Sequence, residues 1–207
     1  IVPPPANPLV VSQPCIRFVD VDNVGPTFGR HLTIFEMGGH HAFNYPDKEV
    51  YWKDGTVRYH HEFVTHELGV KSNEIIYKED VWSGGGNAGP DLETIVRGCE
   101  LDTLVFMKFK VVDNDFVELP IRTVDTGYGI DRYAWLAQGA PSCFDTVYEN
   151  VLDRIFKMAG ITRIDDRFLL EVAKYSGLVS VDKTANRLEA RRRVAELMKM
   201  DVNELDK

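Results

Sequence analysis

The chain has 207 residues, of which 44% are hydrophobic and 27% are charged. This composition is typical of a globular protein and excludes a disordered or fibrous one. The net charge of −8, from 24 basic and 32 acidic residues, argues against a module that holds nucleic acid only through its phosphates, because such modules are usually basic. No apolar run approaches the roughly 20 residues that span a bilayer, so we expect no membrane partner.

The start of the chain and its cysteines indicate the kind of protein it comes from. Residues 1–5 lack the basic and apolar regions of a signal peptide and include no initiator methionine, so we expect a piece of a longer protein. The three cysteines, Cys15, Cys99 and Cys143, are odd in number and far apart, which argues against a disulfide framework or a zinc knuckle. Each lies in an apolar stretch, so we expect buried free thiols and a cytoplasmic location.

Before residue 140, short β-branched and aromatic runs alternate with Gly, Pro, Asp and Asn, a pattern that predicts strands separated by turns. One helix is predicted at 56–68, ended by Gly69. The predicted strands are 14–19, 30–37, 74–78, 92–97, 101–110 and 121–125.

After residue 140 the apolar residues recur with a helical period. One helical face is predicted to carry Phe144, Val147, Tyr148, Val151, Leu152 and Ile155. A second helix is predicted to follow Asp165 and Asp166 and to end near Gly177, and a third to run from about Asp182 to Met200. The residues of the third helix expected to face inward are Leu188, Val194 or Ala195, Met198 and Val202.

These elements predict an α+β fold, in which a mostly antiparallel sheet with flanking helices is followed by an α-helical segment. The expected domain boundary is the change of pattern, with one domain over 1–140 and a second over 141–207.

A first candidate site lies on the predicted hairpin around residues 20–29, a loop of a length that is often functional. Side chains alternate along a strand, so His31, Phe35 and Met37 are expected on one face, which Arg17 of the partner strand can join. An arginine, an imidazole and a flat ring suit the phosphates and base of a nucleotide. The alternative is an ordinary half-buried hairpin, with Phe35 and Met37 in the core and Arg17 in a surface ion pair.

A second candidate lies at 125–132, where a strand is predicted to end in Asp125, two glycines to turn the chain, and a helix to begin near Tyr128. It is not a dinucleotide fingerprint, because Arg132 replaces the third glycine and no βαβ unit surrounds it. The chain has no P-loop pattern either. The alternative is a plain strand–turn–helix junction with Asp125 as N-cap and Arg132 solvated. Between the two candidates, the glycine-rich segment 82–90 is predicted to be a flexible loop.

Taken in order, these segments resemble the catalytic domain of class II aminoacyl-tRNA synthetases, and more closely the alanyl-tRNA synthetases of the archaeal type. The resemblance is dense from Pro3 to about Tyr148 and thinner afterwards. The matching segments are 7–9, 12–17, 30–37 with 40–44, 51–53, 77–82, 84–90, 103–107 and 124–132.

The resemblance implies an ATP site. Arg17 matches the motif 2 arginine that holds the α-phosphate and the substrate carboxylate, and Arg132 matches the motif 3 arginine on the other face of the nucleotide. His31 matches the residue that faces the β- and γ-phosphates, and Phe35 the ring that stacks on adenine. The other residues implied at the ATP site are Met37 and Gly129.

For the amino acid, the resemblance implies that Asp125 binds the ammonium group of L-alanine. Trp82, Val105 and Gly127 match the lining of the small pocket for its methyl group. The implied reaction uses ATP with Mg²⁺ to form alanyl-adenylate and transfers alanine to tRNA(Ala), whose acceptor stem is the expected partner.

Several expectations limit that reading. The Mg²⁺ ligands are left open, with Asp102 and Glu93 as candidates. The motif 1 region and the editing domain are expected to be absent from this chain, and the loop at 25–30 is one residue longer than the family's usual form. Two other functions remain open: adenylation of an amino acid for another acceptor, and a non-catalytic module derived from a synthetase.

The other polar clusters are given ordinary interpretations. The histidines at positions 40, 41, 60, 61 and 66 are interpreted as structural and not as zinc ligands. A basic cluster is interpreted as a solvated helix surface, not as an acceptor-stem contact, because Glu189 and Glu196 are interspersed. It consists of Arg187, Arg191, Arg192 and Arg193.

Overall fold

A computed structural model of the chain describes residues 3–19, 21–113, 115–176 and 184–204. The chain forms two compact units, one from Ile1–Pro14 and Glu36–Ile130 and the other from Cys15–Phe35 and Asp131–Lys207. The assignment of separate functional domains on either side of residue 140 stays a prediction.

Most of the first unit is an antiparallel sheet. Its strands are β1 (Leu9–Ile16), β2 (Ile34–Asn44), β3 (Ile75–Gly84), β4 (Asn87–Val96), β5 (Cys99–Val112) and β6 (Asp115–Gly129). Within the described residues the spatial order is β1-β2-β6-β5-β4-β3. The neighbouring pairs β2–β6, β6–β5, β5–β4 and β4–β3 are antiparallel. The predicted α+β class is therefore confirmed.

Each predicted strand has a counterpart, but the expected turn at the glycines of β6 is wrong. β2 continues through Gly39 to Asn44, and β6 continues through Gly127 to Gly129 without turning. A side chain at Gly39 would collide with the backbone carbonyl of Thr126 on β6. Glycine is needed here because two strands approach closely, which a local pattern cannot distinguish from a turn.

The glycine-rich segment 82–90 is also not a flexible loop. β3 and β4 form a tight hairpin in which Trp82 pairs with Gly89. Gly85 and Gly86 alone make the turn, with φ angles of 58° and 81°, the left-handed values that a two-residue type I′ turn requires. The loop prediction is wrong because so short a turn needs only two of the glycines.

One face of the sheet is covered by a helix. The helix α1 (Lys53–Glu62) continues as a π-helical turn (Phe63–Glu67) and stops at Gly69, which has a φ of 72°. The helix predicted at 56–68 is thus confirmed, with an earlier start. His60 and Val64 of this helix are buried.

The two faces of the central strands differ in character. The face toward α1 is closed by residues that are almost fully buried: Ala42, Thr94, Asp102, Leu104, Phe106, Val124, Thr126 and Tyr128. Because side chains alternate along each strand, the residues between them lie on the opposite surface, here named the second face. Its central members are His41, Asp91, Glu93, Thr103, Val105, Asp125 and Gly127.

The second unit contains the hairpin loop and further helices. These helices are α2 (Ile130–Gln138), α3 (Cys143–Val147), α4 (Glu149–Ala159), α5 (Asp166–Ser176) and α6 (Thr184–Met198). The single helix predicted from Phe144 onward is wrong, because Tyr148 has φ −125° and ψ 23° and separates α3 from α4. Val151 and Ile155 are exposed, so this apolar stripe is not a buried face.

The ends of the last two helices agree better with the sequence. The Asp165 carboxylate accepts hydrogen bonds from the backbone N–H groups of Arg167 and Phe168, at 3.0 and 3.3 Å, and starts α5 as predicted. Of the expected inward residues of α6, Val194 and Ala195 are buried, whereas Leu188 is exposed and that part of the prediction is wrong. The predicted end near Gly177 and the start near Asp182 lie outside the described residues.

The three cysteines are free, as predicted, but Cys143 alone is buried while Cys15 and Cys99 are half-buried. No helix in the described part of the chain is long and apolar enough to cross a membrane.

Candidate active site

The second face brings together three residues of the implied alanine pocket. Asp125 on β6 is the cross-strand partner of Val105 on β5, and Gly127 is the partner of the next residue on that face, Thr103. Val105 is 6% exposed, whereas the Asp125 side chain is 39% exposed. An apolar side chain and a glycine therefore lie beside a carboxylate that a ligand can reach.

Asp125 lies within a strand and does not cap a helix, so the N-cap alternative is wrong. Its Oδ1 atom is 2.9 Å from Nδ1 of His41, its cross-strand partner on β2. The sequence analysis missed this contact, because it depends on the register of two strands that are far apart in the chain. The carboxylate is thus held on one side and can accept further hydrogen bonds, for which an ammonium group is a suitable donor.

Met37 and two glycines form a close-packed patch further along the second face. Met37 is the cross-strand partner of Gly129, and a Cβ atom added to Gly127 would lie 3.3 Å from the Met37 sulfur. A side chain at position 127 would therefore displace Met37.

Trp82 is not next to this group. It lies on β3, three strands from β6 in the described sheet, which corresponds to about 14 Å at the usual spacing of neighbouring strands. Its indole lies over Gly84, where an added Cβ atom would be 2.7 Å from the ring. The role of Trp82 in the methyl pocket stays a prediction.

In the second unit, Arg17 and Phe35 share a surface, as predicted. The backbone N–H of Arg17 donates to the carbonyl of Thr33 at 2.9 Å, and the guanidinium carbon lies 5.6 Å from the centroid of the Phe35 ring. A guanidinium stacked on a ring keeps its in-plane N–H donors for an anion. His31 precedes β2, which begins at Ile34, so strand alternation does not place it on that surface and that part of the prediction is wrong.

Arg132 supports the hairpin loop of the same unit. Its Nε and Nη2 atoms donate to the carbonyl of Arg30 at 3.0 and 2.6 Å, so the solvated alternative is wrong. The loop also contacts α3, because the N–H of Cys143 donates to the carbonyl of Phe28 at 3.0 Å. At Gly29 an added Cβ atom would lie 2.7 Å from Cys143, so the loop and the helix pack closely.

The two candidate Mg²⁺ ligands cannot share an ion. Asp102 pairs with Thr94, whereas Glu93 pairs with Thr103, so the two carboxylates lie on opposite faces of the sheet. Asp102 is on the closed face, 3.7 Å from Nε2 of His60. Nowhere in the described ranges do three or more His, Cys, Asp or Glu side chains form a group that could hold a metal. The two carboxylates therefore cannot bind the same Mg²⁺ ion, and the identity of the Mg²⁺ ligands stays open.

A buried histidine on the closed face anchors β6 behind the site. His60 Nδ1 lies 3.2 Å from the hydroxyl of Tyr128, and its Nε2 atom lies 2.9 Å from Oγ1 of Thr94. Burial, together with the smaller effects of the nearby His40 and His61, lowers the pKa of His60 to about 4. The structural interpretation of His60 is confirmed, and the residue stays neutral at physiological pH.

The free energy of unfolding is expected to fall as the pH is lowered from 6.5 to about 4. In this window the unfolded chain protonates His60, whose unperturbed pKa is 6.5, while the folded protein keeps it neutral, so protons favour the unfolded state. Above pH 6.5 this group causes no loss of stability. The loss grows to about 3 kcal/mol as the pH falls to about 4, and it stays at that value at lower pH.

Urea unfolding of the wild type and of His60→Asn between these pH values measures this effect. The free energy of unfolding of the variant should fall less steeply as the pH is lowered. The difference in slope should be about 1.4 kcal/mol per pH unit, which corresponds to about one proton taken up on unfolding. His40, whose pKa burial also lowers to about 4, contributes to both proteins and cancels in the comparison. Parallel curves for the two proteins would contradict the assignment.

Comparison with known proteins identifies the family. The family model described as tRNA synthetases class II (A) matches residues 1–206. The chain belongs to the class II tRNA synthetases. Members of this class generally use ATP and Mg²⁺.

Similar curated proteins are archaeal alanine–tRNA ligases. The protein from Sulfurisphaera tokodaii is 50% identical over 206 residues, which are 100% of this chain and 23% of that protein. The protein from Metallosphaera sedula is 50% identical over 203 residues, with 98% and 22% covered. The protein from Hyperthermus butylicus is 55% identical over 177 residues, with 86% and 19% covered. This synthetase chain therefore spans less than a quarter of the length of these relatives.

Among solved structures, two pyrrolysyl-tRNA synthetases of Desulfitobacterium hafniense are similar to this synthetase chain. They are 15% and 13% identical, with TM-scores of 0.38 and 0.40. The matches cover 57% and 68% of this chain and 39% and 45% of those chains.

Proposed function

We propose that the protein to which this chain belongs activates L-alanine with ATP and transfers it to the 3′ end of tRNA(Ala). The observation that carries this proposal is the cluster of Asp125, Val105 and Gly127 on the second face. It joins a carboxylate to a small apolar surface in a chain that is 50% identical to alanine–tRNA ligases. The two open alternatives, another acceptor and a non-catalytic module, are not favoured by those relatives.

In the first step, a carboxylate oxygen of alanine attacks the α-phosphorus of ATP. The bond from that phosphorus to the oxygen leading to the β-phosphate breaks, and pyrophosphate leaves with its electron pair. In the second step, a ribose hydroxyl of the terminal tRNA nucleotide attacks the carbonyl carbon of alanyl-adenylate, and AMP leaves. No side chain acts as a nucleophile, so positioning and charge stabilisation provide the catalysis.

The residues of the second unit are assigned to the nucleotide. Arg17 holds the α-phosphate and the substrate carboxylate as charge develops between them, and Phe35 stacks on adenine. His31 contacts the β- and γ-phosphates, and Arg132 contacts the nucleotide and supports the loop through its two hydrogen bonds to Arg30. The stacking of Arg17 on Phe35 supports this assignment, since it orients the guanidinium before ATP binds.

The residues of the first unit are assigned mainly to the amino acid. Asp125 binds the ammonium group, and Val105 and Gly127 surround the methyl group. Trp82, which lies three strands from Asp125, is assigned to the same pocket on the resemblance alone. Met37 and Gly129 are assigned to ATP. Mg²⁺ is expected to accompany the phosphates, which supply most of its ligands in many nucleotide sites, and no residue is assigned to it.

The remaining assignments concern the partner and the location. Residues 1–140 are proposed to be the adenylation core, and 141–207 the start of the helical domain that meets the tRNA acceptor stem. Arg193 lies 3.1 Å from Glu189 on the exposed surface of α6, which supports a solvated face for that part of the basic cluster. The Arg187 side chain lies outside the described ones. The free thiols support a reducing compartment and hence the cytoplasm.

Pyrophosphate exchange with alanine, serine and glycine tests the proposal. Alanine is expected to give the strongest exchange, and serine and glycine a measurable one, because an apolar pocket rejects an added hydroxyl or a missing methyl by only about 10- to 200-fold. The control is the same assay without amino acid. No exchange with alanine would contradict the proposed function, and strong alanine exchange with none for serine would contradict the apolar pocket.

A further inference from the structure

Asp91 on the second face has a buried carboxyl oxygen to which no described residue donates a hydrogen bond. The residue is 7% exposed, and its Oδ1 atom is buried with no hydrogen-bond partner among the described residues. Buried polar atoms in folded proteins are nearly always hydrogen-bonded. The carboxyl group accepts a hydrogen bond from the backbone of Asp80, and its Oδ1 atom retains an unused capacity to form one.

Lys78, on the neighbouring strand β3, is engaged by other carboxylates. Nζ of Lys78 lies 2.9 Å from Asp80 and 2.8 Å from Glu93, and both contacts are at the surface. Burial raises the pKa of Asp91, and the neighbouring Glu93 and Asp80 raise it further. Lys78 thus pairs with Asp80 and Glu93, and a hydroxyl can pair with the Asp91 carboxyl group in either protonation state.

Asp91 lies beside the proposed amino-acid pocket. It is the cross-strand partner of Val105, which in turn is the partner of Asp125. Two strand spacings, about 10 Å, separate Asp91 from Asp125, with Val105 between them. With its ammonium held by Asp125, a small amino acid can place its side chain over Val105 and toward Asp91. The ammonium of such an amino acid and a hydroxyl on its β-carbon can span this distance when each makes a hydrogen bond of about 2.8 Å, the ammonium to Asp125 and the hydroxyl to Asp91.

We propose that Asp91 is a specificity-determining residue of this pocket, whose carboxyl group binds a hydroxyl on the side chain of a small amino acid such as serine. The inference rests on the proposed function and extends it. A hydroxyl both donates and accepts hydrogen bonds, so it pairs with a carboxyl group in either protonation state. Alanine and glycine offer no such group, so this contact favours serine over both.

The test compares three substrates in two variants. Asp91→Leu keeps a similar side-chain size without polar atoms, and Asp80→Asn changes the exposed acidic neighbour on β3 as a matched control. In pyrophosphate exchange, the ratio of kcat/KM for serine to that for alanine is expected to fall about tenfold or more in Asp91→Leu, the loss expected for one hydrogen bond to a charged or buried group. The ratio for glycine to alanine should not fall, and Asp80→Asn should change neither ratio.

A conservative variant and a binding measurement guard against loss of folding or turnover. Asp91→Asn retains a donor and an acceptor and is expected to keep the serine-to-alanine ratio above that of Asp91→Leu. Calorimetry with non-hydrolysable seryl- and alanyl-adenylate analogues should show the same order of preference without any reaction.

The outcomes separate this inference from the proposed function. An unchanged serine-to-alanine ratio in Asp91→Leu, by exchange and by analogue binding, overturns the inference and leaves alanine activation in place. A changed Mg²⁺ requirement with an unchanged ratio assigns Asp91 to a cation and also overturns it. A wild type that binds neither analogue overturns the proposed function and the inference together.

Discussion

Replacing Arg17 by alanine is expected to lower alanine-dependent pyrophosphate exchange by about 10³-fold, the upper range for removing one preorganised donor to a developing charge. The guanidinium already lies over the Phe35 ring, 5.6 Å from its centroid, which reduces the reorganisation needed to meet the α-phosphate. kcat should fall more than KM for ATP rises, because the charge that Arg17 stabilises is greatest in the transition state.

Two further variants make the Arg17 prediction specific. Arg17→Lys keeps the charge but loses the planar pair of donors, so it should recover only part of the activity. Arg97→Ala removes an exposed arginine that pairs with Glu74 at the surface and should leave exchange near the wild-type value. Equal activity of Arg17→Ala and the wild type would contradict the role given to Arg17.

Replacing Asp125 by asparagine is expected to lower kcat/KM for alanine by about 10²-fold, as truncation of a paired, partly desolvated charge does. Asparagine is nearly the same size and can still contact His41, so the change removes mainly the charge that faces the ammonium. The KM for alanine should rise far more than the KM for ATP, because Asp125 is assigned to the amino acid alone. Steady-state kinetics with each substrate varied in turn measures this difference.

The control for the Asp125 variant is an aspartate-to-asparagine substitution in the turn that joins β5 and β6. Asp113→Asn changes an exposed residue with a φ of 51°, a left-handed conformation that asparagine adopts readily, and should leave both KM values unchanged. An Asp125→Asn variant with an unaltered KM for alanine would assign the ammonium to another residue.

Much of the fold could be predicted from local sequence. The end at Gly69 of the π-helical turn that continues α1 follows from a glycine at positive φ. The start of α5 after Asp165 follows from a carboxylate that accepts backbone N–H bonds. The strands were found for the same reason, since β-branched and aromatic runs form them in most contexts. The predicted strand ends were wrong where glycines lie inside a strand, as at Gly39 and Gly127. Glycine occupies these positions because a neighbouring strand packs closely against them, and the local sequence does not reveal that contact.

The candidate site likewise contains residues that the sequence could reveal and contacts that it could not. Arg17 and the segment 125–132 could be found in the sequence, although each alone also fits ordinary strand and turn structure. The contact between His41 and Asp125 could not be found, nor could the unpaired oxygen of Asp91. The His41–Asp125 contact depends on the register between β2 and β6, which pairs residues more than eighty positions apart in the chain. The position of Asp91 depends on the register of three strands, which aligns it with Val105 and Asp125.

The sequence by itself indicated the family, through its resemblance to known synthetases, and supplied the residue types proposed for the ATP and alanine sites. It also indicated the class of fold, because that follows from the order and spacing of apolar and turn residues along the chain. The tertiary structure alone decided which side chains face each other across the sheet. It placed Asp102 and Glu93 on opposite faces and aligned Asp125, Val105 and Asp91 in one row. The physical reason is that a shift of one residue in strand register moves every side chain to the other face, and register is set by contacts between distant parts of the chain.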